Sequence, residues 1–154
     1  MAELKVGDKA PEFSSVAHDG KKYSLKEMNG KKVVLYFYPE DDTPTCTKQA
    51  CTFRDGYAEI RKKGGIVVGV SPNNAASHEK FSKKYRLNFP IISDEDKTIM
   101  KAYGVWKKKQ LFGIKYIGVV RTTYVINEQG AITHIFPNVR VKGHIEKVLQ
   151  ALSE

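Results

Sequence analysis

Apolar positions fall into two kinds of pattern along this chain, and each predicts a different element. Val33-Val34-Leu35-Tyr36-Phe37-Tyr38 and Ile66-Val67-Val68-Gly69-Val70 run without alternation, as strands covered on both faces do in a parallel sheet. Between them Ala50, Phe53, Tyr57 and Ile60 recur at three- and four-residue steps, predicting a helix that follows Cys46 and runs to about Lys63, where Gly64-Gly65 stops it. Gly56 inside that helix should cost about 1 kcal/mol relative to alanine. After a loop at Ser71-Pro72-Asn73-Asn74, residues 75–86 carry Phe81 and Tyr85 at helical spacing. Phe89-Pro90-Ile91-Ile92 reads as a short strand, and Asp94 as the start of a short helix carrying Ile99, Met100 and Tyr103, closed by Gly104. Val119 to Ile126 reads as a strand, Glu128-Gln129-Gly130 as a turn and Ala131 to Phe136 as the antiparallel mate. A last helix over about 141–152 presents Val141, Ile145, Val148, Leu149 and Leu152 on one face. Upstream, Phe13, Val16, Tyr23 and Leu25 flank the turn pair Asp19-Gly20, predicting a hairpin over 13–25. Only residues 105–117, basic and aromatic, show no clear period; they read as an excursion or an extra hairpin, with Trp106 as core or pocket wall. Alternating strands and helices that end in an antiparallel pair imply an α/β domain with a mixed central sheet and helices on both faces.

The 154 residues suit one domain, 1–154, with one core, and an apolar fraction of 41% excludes a disordered chain. No apolar run is long enough to span a membrane, and the N-terminal residues show no apolar signal region, so the expected location is the cytoplasm, with no membrane partner. The net charge of +9 raises the question of nucleic acid. The lysines, however, come in short scattered clusters at predicted loops and element ends, as a solvated surface has them, and no nucleic-acid motif accompanies them. The excess charge could instead steer an acidic protein partner.

Both cysteines lie in one stretch, Pro39-Glu40-Asp41-Asp42-Thr43-Pro44-Thr45-Cys46-Thr47-Lys48-Gln49-Ala50-Cys51, between the first core strand and the helix. In a reducing compartment such thiols are catalytic, redox-sensing or inert rather than a structural staple. A thiol at the mouth of a helix meets the positive end of the backbone dipole, which favours the thiolate and makes Cys46 a candidate nucleophile. The five-residue step to Cys51 is neither the spacing of a dithiol redox pair nor that of a zinc knuckle. On a regular helix it separates the Cα atoms by roughly 8–9 Å, whereas a disulfide needs them within about 7 Å. Bonding therefore requires local unwinding. His18, His78, His134 and His144 are dispersed without ligand spacing, so neither a metal site nor a histidine-activated cysteine protease is expected.

Pro39-x-x-x-Thr43-x-x-Cys46 resembles the active-site signature of the peroxiredoxins. The extension through Cys51-x-Phe53-Arg54-Asp55 is similar to the subgroup called peroxiredoxin Q, or bacterioferritin comigratory protein. The opening Leu4-x-Val6-Gly7-Asp8-x-Ala10-Pro11-x-Phe13, together with Tyr103-Gly104-Val105-Trp106 and Gly118 to Ile126, resembles other blocks of that family. The resemblance implies a thioredoxin-like fold and a thiol-dependent peroxidase acting on hydrogen peroxide and organic hydroperoxides, without metal, haem or flavin. It implies Cys46 as the peroxidatic cysteine and Cys51 as the resolving one, joined in an intramolecular disulfide that thioredoxin or a similar dithiol reduces. It further implies that Arg121 stabilises charge at the sulfur and the departing oxygen, that Thr43 orients the peroxide, and that Pro39 limits water. Gln49 is expected to make a secondary polar contact at most. A monomer is implied, with a weak homodimer as the alternative. The competing activities are a general thiol–disulfide oxidoreductase, which the missing Cys-x-x-Cys disfavours, and a non-catalytic redox sensor or holdase.

Overall fold

A computed structural model describes residues 3–154. The N-terminal hairpin pairs β1 (Ser14–Val16) with β2 (Lys22–Ser24). Its turn is held by Asp19, whose carboxylate accepts from Lys21 N and the Tyr23 hydroxyl. Three parallel strands follow, β3 (Lys32–Phe37), β4 (Gly65–Ser71) and β5 (Ile91–Ser93), joined by the helices α1 (Pro44–Lys62) and α2 (Ala75–Tyr85). After α3 (Thr98–Ala102) the aperiodic segment forms a separate hairpin, β6 (Trp106–Leu111) and β7 (Ile114–Val119). The chain then returns to the main sheet as β8 (Thr122–Ile126) and β9 (Ile132–Phe136) and closes with α4 (His144–Ser153). The central sheet has the order β5-β4-β3-β8-β9, with β8 antiparallel to β3 and β9 antiparallel to β8.

β3 explains why its sequence does not alternate. Val33, Leu35 and Phe37 face a core built with Phe13 of the N-terminal segment and with Ile99, Met100 and Tyr103. Val34, Tyr36 and Tyr38 face a second core built with Ala50, Phe53 and Ile60 of α1, Phe81 of α2, and Val148 and Leu152 of α4. Both faces are covered, so both sets of side chains are apolar, and each large one contributes about 1.5–3 kcal/mol through burial.

Some expected boundaries move, each for a physical reason. α1 begins at Pro44, not after Cys46, because a proline with its fixed φ and missing N–H suits the first helical position. α3 starts at Thr98; Asp94 lies outside it and receives Ile99 N and Met100 N on its carboxylate. The expected single strand from Val119 to Ile126 is two strands. Val120 N is drawn to Val105 O at the base of the second hairpin, and Arg121 O accepts from Val139 N, so the chain bends before β8 begins. α4 starts at His144 behind Gly143, whose φ of +78° is open to glycine, and leaves Val141 in the preceding loop. Gly56 also differs from expectation. A Cβ there would stand 2.9 Å from Ile145 Cδ1, so this glycine lets α1 and α4 approach closely. Among the described residues no helix is long and apolar enough to cross a membrane.

Candidate active site

The site grows from the exit of β3. Beyond Phe37 the chain passes through Tyr38, the half-buried Pro39, and Glu40 to Asp42, whose φ of +58° lies in the left-handed region that aspartate tolerates better than most residues. That turn presents Thr43 as the extended N-cap of α1. The first intrahelical bond is Thr47 N to Thr43 O, at 2.8 Å. The N–H groups of Thr45 and Cys46 therefore precede the helical ladder and open outward, with the positive end of the helix dipole behind them. The Thr43 hydroxyl does not cap the helix. It donates to Glu40 O at 2.9 Å, which commits its proton and leaves its oxygen as an acceptor.

Cys46 lies on the inward face of this first turn and is 2% exposed, packed with Ala50 and Phe53. Arg121 reaches it from across the sheet: Nη2 donates to Cys46 Sγ at 3.2 Å and Nη1 to Gln49 Oε1 at 2.6 Å. The guanidinium is thus held by a forked pair of bonds to residues three apart on one face of α1. A sulfur in an apolar pocket is poorly solvated as an anion. Here the guanidinium of Arg121, a permanent cation, stands within hydrogen-bond reach of it. The bend at Val120-Arg121 makes this geometry. β8 begins where β3 ends, with Thr122 paired to Phe37, so the residue before Thr122 hangs over the start of α1.

Similarity to known proteins shows the family. The model of the AhpC/TSA family matches residues 6–135. The bcp peroxiredoxin of Coxiella burnetii is 46% identical over 97% of this chain and 99% of its own length. Peroxiredoxin Bcp of Escherichia coli is 39% identical over 100% and 99%. Among solved structures, Xylella fastidiosa PrxQ superposes with a TM-score of 0.92 at 29% identity, covering 99% of this chain and 98% of that one. Bacterioferritin comigratory protein of Xanthomonas campestris superposes at 0.87 and 33%, covering 92% and 90%. The chain belongs to the AhpC/TSA family, among the thiol peroxidases called peroxiredoxins.

This peroxiredoxin carries its second thiol one turn further along. Cys51 is half-buried and free, and α1 is helical without interruption from Cys46 to Cys51. The two cysteines are therefore not brought together, whereas Cys46 and Arg121 are, with Thr43 as the N-cap of the same helix. Gln49 plays a larger part than its sequence position suggested. It is 1% exposed and provides the acceptor that aims Arg121 at the sulfur.

The peroxiredoxin loop also has a buried foundation. Asp41 accepts from the Tyr38 hydroxyl at 2.5 Å, the Ser77 hydroxyl at 2.7 Å and His78 Nδ1 at 2.6 Å, while its own N–H donates to Asn73 Oδ1 at 2.7 Å. Burial pushes the Tyr38 hydroxyl well above the usual phenol range, so it serves as a donor throughout. Next to it Asp42 receives Lys84 Nζ and the Tyr85 hydroxyl, and the hydrogen bond from Lys84 lowers its carboxyl below the ordinary range. Both aspartates thus bolt the loop onto α2. His78 had no visible signal in the sequence, because its partner lies 37 positions upstream.

Proposed function

We propose that Cys46 is the peroxidatic residue, Cys51 its resolving partner, and Arg121, Thr43 and Pro39 the groups that shape the attack. The single observation supporting this reading is the guanidinium of Arg121 donating to Cys46 Sγ at the open end of α1. The Cys46 thiolate attacks one peroxide oxygen; the S–O bond forms as the O–O bond breaks. The other oxygen leaves as hydroxide or alkoxide and takes up a proton, and the sulfur becomes a sulfenic acid. Negative charge migrates from sulfur to the departing oxygen during this step. A fixed cation and fixed N–H donors that need not reorganise stabilise that movement. The Thr43 oxygen, its proton committed to Glu40 O, accepts the hydrogen of the peroxide and fixes its orientation.

Resolution follows when the Cys51 thiolate attacks the sulfenic sulfur, forming the disulfide and releasing water. The first turns of α1 must unwind for this. Phe53 in the core and Arg54, whose Nη1 donates to Tyr85 O at 2.6 Å, mark where the unwinding stops. Thioredoxin or a similar dithiol then reduces the disulfide, in a reducing cytoplasm. The Xanthomonas campestris relative has alkyl peroxide reduction activity, and the half-open loop at Thr43 suits organic hydroperoxides here as well as hydrogen peroxide.

Mass spectrometry after one equivalent of peroxide tests the assignment. Wild type should lose two hydrogens as an internal disulfide, Cys51→Ser should retain one added oxygen, and Cys46→Ser should remain unmodified. A disulfide or added oxygen in Cys46→Ser would overturn the reading. Amides over residues 46–52 should exchange faster in the oxidised protein than in the reduced one; equal protection would refute the unwinding.

A further inference from the structure

The β6–β7 hairpin is unlike the rest of the surface. Leu111, Phe112, Ile114, Tyr116 and Ile117 are all exposed, Phe112 to 94%. Phe112 and Gly113 form its two-residue turn with φ of +51° and +78°. Glycine and asparagine favour the first of these positions, yet a large apolar ring occupies it and touches nothing that would repay the conformation. The surrounding charge is one-sided. From Lys97 through Asn127 the sequence contains no aspartate or glutamate, while Lys107, Lys108, Lys109 and Lys115 all lie on the hairpin. Lys109 folds back onto Val119 O and the Tyr116 ring, and Lys107 has one loose, exposed contact to Glu3 at 3.8 Å. Among the described residues Lys108 and Lys115 have no ion-pair partner.

We propose that this hairpin docks the protein on an anionic phospholipid bilayer, with the tip inserted at the level where head groups meet acyl chains. The register orders the chemistry by depth. Leu111 pairs with Ile114 next to the turn, Gln110 with Lys115 one rung back, Lys109 with Tyr116 behind that, and Lys108 with Ile117 next. At about 3.3 Å per residue, Phe112 extends roughly 13 Å beyond Lys108. Apolar groups therefore enter first and the ammonium groups stop at the phosphates, Lys115 by extending its stem. Successive rungs point to opposite faces, so Leu111 and Ile114 lie on one face, Ile117 on the other and Phe112 at the end. A single protein surface would cover one face; a bilayer surrounds all three. A second copy would bring the same acid-free cluster of lysines against this one, a like-charge contact that disfavours self-pairing. The lack of a spanning helix does not bear on such surface attachment, and the proposal does not depend on the catalytic roles assigned above.

Cosedimentation with vesicles of phosphatidylglycerol or of phosphatidylcholine tests it. Binding should be at least about tenfold tighter to the anionic vesicles and weaken as salt rises. It should fall about fivefold for each of Lys107→Gln, Lys108→Gln and Lys115→Gln, and disappear in Phe112→Ser. Turnover of hydrogen peroxide in solution should stay at the wild-type rate in all four variants, which reports that they are folded. Absence of binding, equal binding to both vesicles, or anionic binding that survives Phe112→Ser overturns the proposal; the last would show only a response to the overall +9 charge. Pairing in sedimentation velocity, or salt-sensitive docking of an acidic dithiol protein, that Phe112→Ser abolishes while no vesicle binding is seen would reassign the tip and equally overturn it.

Discussion

The loop before α1 and the β6–β7 hairpin both interrupt the α/β pattern, both mix aromatic with charged residues, and both hold a non-glycine residue at positive φ. They are built in opposite ways. The loop's side chains are tied to the rest of the fold: Asp41 receives three donors and Asp42 two, while the Thr43 hydroxyl donates to a carbonyl. The hairpin leaves its apolar groups and most of its cations facing outward. The lesson is that a loop without a ladder takes its geometry from side-chain contacts to other elements, whereas a regular hairpin holds its shape through its own pairing and leaves its tip free of the rest of the fold.

The largest expected effects lie on the fastened side. Arg121→Met should lower the second-order rate of Cys46 oxidation by 10²–10³-fold, about 3–4 kcal/mol of barrier, in stopped-flow measurements with hydrogen peroxide. The fold should persist, because the guanidinium is only half-buried. Asp41→Ala should cost about 3 kcal/mol in denaturant unfolding, since it strands the buried donors of Tyr38 and His78 together with that of the half-buried Ser77. It should slow peroxide turnover as well; normal turnover with normal stability would mean that the network does not set the loop.

A pH titration sharpens the contrast next. His144 sits beneath α1, its Nε2 against Thr123 Oγ1 at 2.9 Å. Burial lowers its imidazole to about 4, and Lys147 adds to the effect. The unfolded chain takes up that proton near pH 6.5 and the folded chain does not, so below 6.5 the unfolded state binds more protons. Stability should therefore fall as pH drops from about 6.5 to about 4, by up to about 3 kcal/mol from this group, and level off below. His144→Gln should flatten that part of the curve in chemical denaturation. Gly56→Ala comes next, with about 1 kcal/mol of helix propensity gained against a contact to Ile145 at 2.9 Å. We expect a net loss of about 1 kcal/mol, recovered when Ile145→Val is added. The smallest effect belongs to the hairpin: Phe112→Ser should change the unfolding free energy by less than about 0.5 kcal/mol.

Much of this was legible in the sequence. The unbroken apolar run of β3, the helical spacing of Ala50, Phe53, Tyr57 and Ile60, and the turn at Asp19-Gly20 each record local periodicity or local backbone demands, which a linear string preserves. The proline–threonine–cysteine spacing belongs to the same class, because the exit of a strand and the start of a helix are contiguous in the chain. Less was visible where the partner was remote. Asp41 reads as a loop aspartate until α2 brings His78 against it, Gln49 as a minor polar group until Arg121 arrives from 72 positions away, and Gly56 as a weak point until Ile145 packs on it.

Strand order supplies the physical reason. Hydrophobic pattern and turn chemistry specify which elements form, since each depends on neighbours within a few residues. Which residues meet depends on β8 being inserted antiparallel beside β3, which brings the guanidinium of Arg121 to the sulfur of Cys46. Periodicity carries the elements; only the folded sheet, by choosing their neighbours, turns a buried thiol and a distant cation into one chemical unit.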